Sequence, residues 1–97
     1  MTENDIHILI ADDEIFIREG LQEALHKPGF VIDTADDGHQ AWDKMQARRY
    51  DLVILDLRIP GPSGLELLDE ISDQFPDMLT IILTAHGSIS TAVEAMR

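Results

Sequence analysis

Four oxygen-bearing side chains stand at matching places in this sequence. Asp12 and Asp13 follow the apolar run of residues 6–11, Asp56 ends the run that begins Leu52-Val53-Ile54-Leu55, and Thr84 follows Ile81-Ile82-Leu83. Carboxylates gathered at one point repel and raise each other's pKa unless a cation lies among them. An all-oxygen set suits a hard ion such as Mg²⁺, which keeps several waters and takes one or two carboxylates. A carboxylate is also a nucleophile towards a phosphoryl group, giving an aspartyl phosphate. The ion would then neutralise charge on the group in transfer, and the Thr84 hydroxyl could donate to a phosphoryl oxygen. Singly, each residue has a plainer reading: Asp12 or Asp13 as the N-cap of a helix, Thr84 as a strand-end or capping residue. Asp56 is harder to read so, because it closes a buried strand where a structural carboxylate has little use.

The elements that must position these residues alternate. Short apolar runs predict strands at residues 6–11 (β1), 30–35 (β2), 52–57 (β3) and 78–84 (β4). Apolar residues at helical spacing predict helices between them. The first helix, α1, covers residues 15–26 with Ile17, Leu21, Ala24 and Leu25, and Lys27-Pro28-Gly29 stops it. The second, α2, covers 39–49 after the turn Asp36-Asp37-Gly38, with Ala41, Trp42 and Met45 inward. The third, α3, covers 65–75 with Leu68, Ile71 and Phe75, and Pro76 ends it. Residues 88–97 open a fourth, α4, with Ile89, Ala92, Val93 and Met96 on one stripe. A βαβαβαβα order means an α/β fold, a parallel sheet with helices on both faces and right-handed crossovers. Here β1, β3 and β4 read as buried and β2, with Asp33 and Thr34, as an edge strand. In such sheets ligands bind beyond the carboxyl ends of the strands, where the strand order reverses. Those are the places that Asp12, Asp13, Asp56 and Thr84 occupy.

Composition narrows the function. Ninety-seven residues suffice for one small domain. Seven basic against nineteen acidic residues leave a net charge of −12, which repels nucleic acid and anionic membranes and argues against direct DNA contact. There is no cysteine, which excludes disulfides and thiolate metal sites and fits a cytoplasmic setting. The acidic start Met-Thr-Glu-Asn-Asp lacks the basic segment of a secretory signal, and the apolar runs are too short to span a bilayer. His7, His26, His39 and His86 show no metal-ligand spacing.

With these residues in view, residues 8–97 resemble the receiver domains of bacterial response regulators, of the flavodoxin-like (CheY-like) fold. Asp12-Asp13-Glu14 is similar to the family's acidic pair, Asp56 falls at its phosphoacceptor, Ile59-Pro60-Gly61-Pro62-Ser63-Gly64 resembles its loop after β3, and Leu83-Thr84-Ala85 resembles its switch-hydroxyl strand end. Residues 83–88 and 91–96 are similar to the NtrC-like class, whose receiver controls an ATPase that activates an alternative sigma factor. The resemblance implies that Asp56 receives a phosphoryl group from a sensor histidine kinase. It implies Mg²⁺ held directly by Asp13, Asp56 and the backbone carbonyl of Arg58, and through water by Asp12. Thr84 would couple phosphorylation to the region around α4, and the Arg58 and His86 side chains would tune phosphate lifetime.

The sequence departs from the family in stopping at Arg97, before a fifth strand and helix: an incomplete (βα)4 of the family's (βα)5. The family's β5 lysine and β5 aromatic residue have no counterpart, since Lys27 follows α1 and Lys44 lies in α2. The expectation is a fragment, residues 1–97 being a receiver domain cut within α4, or a homodimer or strand or helix exchange that covers the open edge of β4. The chief alternative is a receiver-like interaction module that is not phosphorylated. A phosphoaspartate phosphatase would need Asp-x-Asp-x-Thr after its first strand, and a flavin carrier a Ser/Thr/Gly-rich phosphate loop; Asp12-Asp13-Glu14-Ile15-Phe16 offers neither.

Overall fold

The structure, a computed structural model, describes residues 5–61 and 64–83. Within them the order is β1 (Ile6–Ala11), α1 (Ile15–Leu25), β2 (Phe30–Ala35), α2 (Gly38–Ala47), β3 (Leu52–Asp56), α3 (Gly64–Gln74) and β4 (Leu79–Leu83). The strands form one parallel sheet in the order β2-β1-β3-β4. The predicted α/β alternation is therefore present, with element ends displaced by one or two residues. The expected α4 of residues 88–97 lies outside the described residues, as does Thr84.

Local chemistry explains the boundaries. Gly29 takes φ +88°, open to glycine without strain, and turns the chain from α1 into β2. At the start of α2 the Asp37 carboxylate accepts from the Gln40 N–H at 2.7 Å, while the Gln40 side chain accepts from the Asp36 N–H at 3.1 Å. Two backbone donors that the helix cannot use are thus satisfied reciprocally.

Period-two alternation sends β1 and β3 residues to two cores. Leu9, Ala11, Val53 and Leu55 face α2 and α3, against Ala41, Met45, Leu67 and Ile71, all buried. Trp42 and Phe75 close that layer edge-to-face, ring centroids 6.0 Å apart. On the other face Ile8, Ile10 and Ile54 meet Leu21 and Leu25 of α1. That second layer is thinner. No residue of α1 is fully buried, Ile17 and Ala24 being exposed. Here one expectation is corrected, for β4 is not buried on both faces: Leu79 and Ile81 are 60% and 44% exposed, since among the described residues β4 is the sheet's outer strand. The expectation that β2 is an edge strand holds.

Charge secures the β2 edge. Tyr50 Oη donates to Asp33 Oδ2 at 2.7 Å, Arg48 Nη1 donates to the same oxygen at 3.0 Å, and Lys44 Nζ donates to the Thr34 carbonyl. Burial works against the ionised Asp33, but the Tyr50 hydroxyl and Arg48 outweigh it and hold the carboxyl below its ordinary range. Burial, and then the bond to Asp33, push the Tyr50 hydroxyl well up. Tyr50→Phe removes a hydrogen bond to a carboxylate, with an expected loss of about 1–2 kcal/mol in urea unfolding near neutral pH. Stability from a depressed carboxylate is present above its unfolded value of 3.8 and lost as pH falls through the folded one. The difference between wild type and Y50F should therefore shrink on acidification; a difference independent of pH would show that the bond to ionised Asp33 is not its source.

Candidate functional site

Sheet topology determines which residues can meet. The chain leaves β1 for β2 on one side and returns past it to β3 on the other, so the strand order reverses between β1 and β3. Ala11 is level with Leu55, which leaves Asp12 and Asp56 at neighbouring carboxyl ends. One carboxylate oxygen from each of Asp12, Asp13 and Asp56 lies within 4.8 Å of the others. Three of the four residues singled out by position are thus brought together. Thr84 would follow Leu83, the partner of Asp56, but lies outside the described residues together with His86.

Asp12 is held on every side. Its N–H donates to the Ala35 carbonyl at 3.1 Å, its Oδ1 accepts from the Glu14 N–H at 2.8 Å, and its carbonyl accepts from Arg18 Nη1 at 2.7 Å. Glu14, not an aspartate, is the N-cap of α1, and it makes no side-chain cap bond. The plain reading of Asp12 or Asp13 as a helix cap is thereby set aside. Asp13 is exposed at the rim. Asp56 is half-buried, and its Oδ1 accepts from the Arg58 N–H at 3.0 Å. Its Oδ2 makes no hydrogen bond among the described residues.

The loop after β3 is fastened at both ends. The Ile59 N–H donates to the Asp56 carbonyl, the Gly64 N–H to the Leu57 carbonyl, and the Gly38 N–H to the Pro60 carbonyl at 2.7 Å. Gly64 sits so close that a Cβ there would lie 2.3 Å from Leu57 Cα, and Gly61, at φ +94°, has the His39 ring beside it. His39 thus packs against the loop that carries Arg58. Arg58 itself is exposed.

Two unit charges 4.8 Å apart repel by about 3 kcal/mol at an effective dielectric near 20. That is large beside a folding margin of about 5–15 kcal/mol. The strain registers at Asp12, whose carboxyl is raised above 3.8, chiefly by burial, then by Asp56, Asp13 and Glu14, with the Glu14 N–H pulling the other way. The donor set is hard, all oxygen and strongly anionic, and fits a small divalent cation. In front of it is a cleft of about 460 Å³ lined by Asp12, Asp56 and Glu14 on the acidic side and Phe16, Ile17, Leu21 and Leu83 on the apolar side.

Comparison with known proteins agrees with this geometry. The family model described as the response regulator receiver domain matches residues 8–97. The chain belongs to the response regulator receiver family. It is 38% identical over 96 residues, 99% of its own length, to the alginate biosynthesis transcriptional regulatory protein AlgB of Pseudomonas syringae, and spans 21% of that protein. Among solved structures it resembles the response regulator TrrA of Thermotoga maritima in complex with Mg²⁺-BeF. The TM-score is 0.78 at 48% identity, over 84% of this chain and 71% of that one. A Burkholderia pseudomallei response regulator with a phosphorylated aspartic acid and a calcium ion aligns with TM-score 0.82 at 30% identity, over 94% and 54%. AlgB is an NtrC-family regulator, and the receiver is of the NtrC-like class.

The sequence reading missed the Arg18 contact with Asp12 and the packing of His39 on Gly61. A cation one turn into α1 was the available signal for the first; the second joins distant segments and left none.

Because Asp12 holds its proton more tightly in the folded chain, its ionisation opposes folding as pH rises from 3.8 through the raised folded value. Asp12→Asn keeps an acceptor for Glu14 and removes the charge. In EDTA near neutral pH the variant is expected to gain about 0.5–2 kcal/mol over wild type in urea unfolding, a gain that shrinks on acidification. A less stable variant at neutral pH would show that the Asp12 charge is not under strain.

Proposed function

We propose that this receiver accepts a phosphoryl group on Asp56 from a phosphohistidine of a sensor histidine kinase, and so controls a transcription-activating output domain. The cluster of Asp12, Asp13 and Asp56 at the strand-order reversal carries this reading. The Asp56 carboxylate attacks phosphorus; a P–O bond forms as the donor's P–N bond breaks, and the kinase imidazole leaves with the electron pair and takes up a proton. The Arg58 N–H on Oδ1 orients the carboxylate and leaves Oδ2 to react. Asp13, Asp56 and the Arg58 backbone carbonyl would hold Mg²⁺ directly, and Asp12, fixed by its three hydrogen bonds, would hold it through water. When bound, that ion supplies positive charge to the phosphoryl group and its acceptor. Thr84, next in sequence after Leu83, would donate its hydroxyl to a phosphoryl oxygen.

The relatives bearing Mg²⁺-BeF and a phosphorylated aspartic acid support the same chemistry. As a phosphoacceptor the chain would catalyse only its own phosphorylation and dephosphorylation. Its charge of −12 favours protein partners over DNA in this segment. Among the described residues no helix is long and apolar enough to cross a membrane, and a cytoplasmic setting is part of the proposal.

Intact mass after incubation with Mg²⁺ and acetyl phosphate tests it. The expected result is one base-labile phosphoryl adduct, absent in Asp56→Asn and in EDTA. A chain that takes no adduct, or an adduct that persists in D56N, would favour the non-phosphorylated interaction module.

A second copy of the chain is the proposed occupant of the exposed apolar face that Phe16 and Ile17 form with Leu83 of β4, the outer strand among the described residues. Sedimentation equilibrium should show a concentration-dependent dimer that Phe16→Glu weakens at least tenfold, about 1.4 kcal/mol; a monomer at every concentration would contradict it.

A further inference from the structure

We propose that Arg18 is a positioning residue for Asp13, setting the direction of that carboxylate by clamping the peptide that joins it to Asp12. The inference rests on the cation reading of the acidic cluster. Arg18 Nη1 donates to the Asp12 carbonyl at 2.7 Å across six residues, in a half-buried setting. That carbonyl belongs to the Asp12–Asp13 peptide, a rigid plane. Tying its oxygen removes the rotation that would swing the Asp13 Cα, and with it the carboxylate, towards or away from Asp12 and Asp56.

Asp13 needs such control. It is exposed and makes no hydrogen bond of its own among the described residues, whereas Asp12 and Asp56 are each fixed by an amide on Oδ1. Its place within 4.8 Å of the other two is therefore set through the backbone. Nor does Arg18 serve as a counter-charge: its side-chain hydrogen bond goes to a carbonyl, and it makes no ion pair with a carboxylate among the described residues. A guanidinium suits the task because it keeps its charge and holds several donors in one rigid plane. The contact is an outer-shell support of the kind that orients a ligand without touching the metal.

The test is Mg²⁺ titration calorimetry on the whole chain, for wild type, Asp13→Ala, Arg18→Met and Arg18→Lys, with ¹⁵N relaxation of the Asp13 amide measured in EDTA. D13A losing Mg²⁺ binding checks the cation reading. R18M is expected to weaken binding about tenfold, and to lower the Asp13 amide order parameter from about 0.85 towards 0.6, with the order parameters of the β1 and β3 amides unchanged. R18K, which retains a donor, should fall between the two. Wild-type affinity or unchanged Asp13 order in R18M overturns the proposal. If wild type binds no Mg²⁺, the cation reading fails, while Asp13 order in R18M still decides the positioning role. Should R18M not fold, R18K carries both readouts.

Discussion

Like charges held close together at the end of a buried sheet set the terms for the rest of this molecule. Asp12 and Asp56 are held at neighbouring carboxyl ends because β1 and β3 are hydrogen-bonded partners, and Asp13 follows on the next peptide, so the three carboxylates stand close together. Repulsion of about 3 kcal/mol for one such pair would consume much of the stability of a domain this size. The sheet tolerates it because Leu9, Val53, Leu55, Ile8 and Ile10 are almost completely buried beneath. A molecule that retains this arrangement gains from whatever relieves it, and a divalent cation followed by a phosphoryl group is the chemistry that fits.

The supports around the cluster follow from that constraint. Amides of Glu14 and Arg58 each hold one oxygen of Asp12 and Asp56, which spares the remaining oxygen for a ligand. The loop after β3 is locked by Gly38, Gly61 and Gly64, positions where a side chain would meet backbone or the His39 ring, or where the chain is already fastened. Rigid placement matters because a cation's ligands must hold their spacing when the cation leaves.

Much of this was legible in the residues. The alternation of apolar runs located every strand and helix of the described chain, and Asp56 after Leu-Val-Ile-Leu announced an acidic group at a buried strand end. The sheet order explains why that worked: parallel strands deliver consecutive loops to one edge. Periodicity failed where a surface lacked its cover. Ile17 and Ala24 lie on the apolar stripe of α1 yet are exposed, and Ile81 of β4 likewise, because apolar spacing states what a residue could bury and not what lies opposite. The Arg18 clamp, the His39 contact and the Asp33–Tyr50 bond depend on side-chain directions that spacing does not encode.

The most direct measurement of whether this cluster is built for a cation is unfolding free energy as a function of Mg²⁺ at constant ionic strength. The account predicts a logarithmic rise, about 2.7 kcal/mol once Mg²⁺ reaches a hundred times its dissociation constant, absent when K⁺ replaces it. Stability indifferent to Mg²⁺, or responding equally to K⁺, would mean that the three carboxylates are merely tolerated neighbours, and would contradict the account.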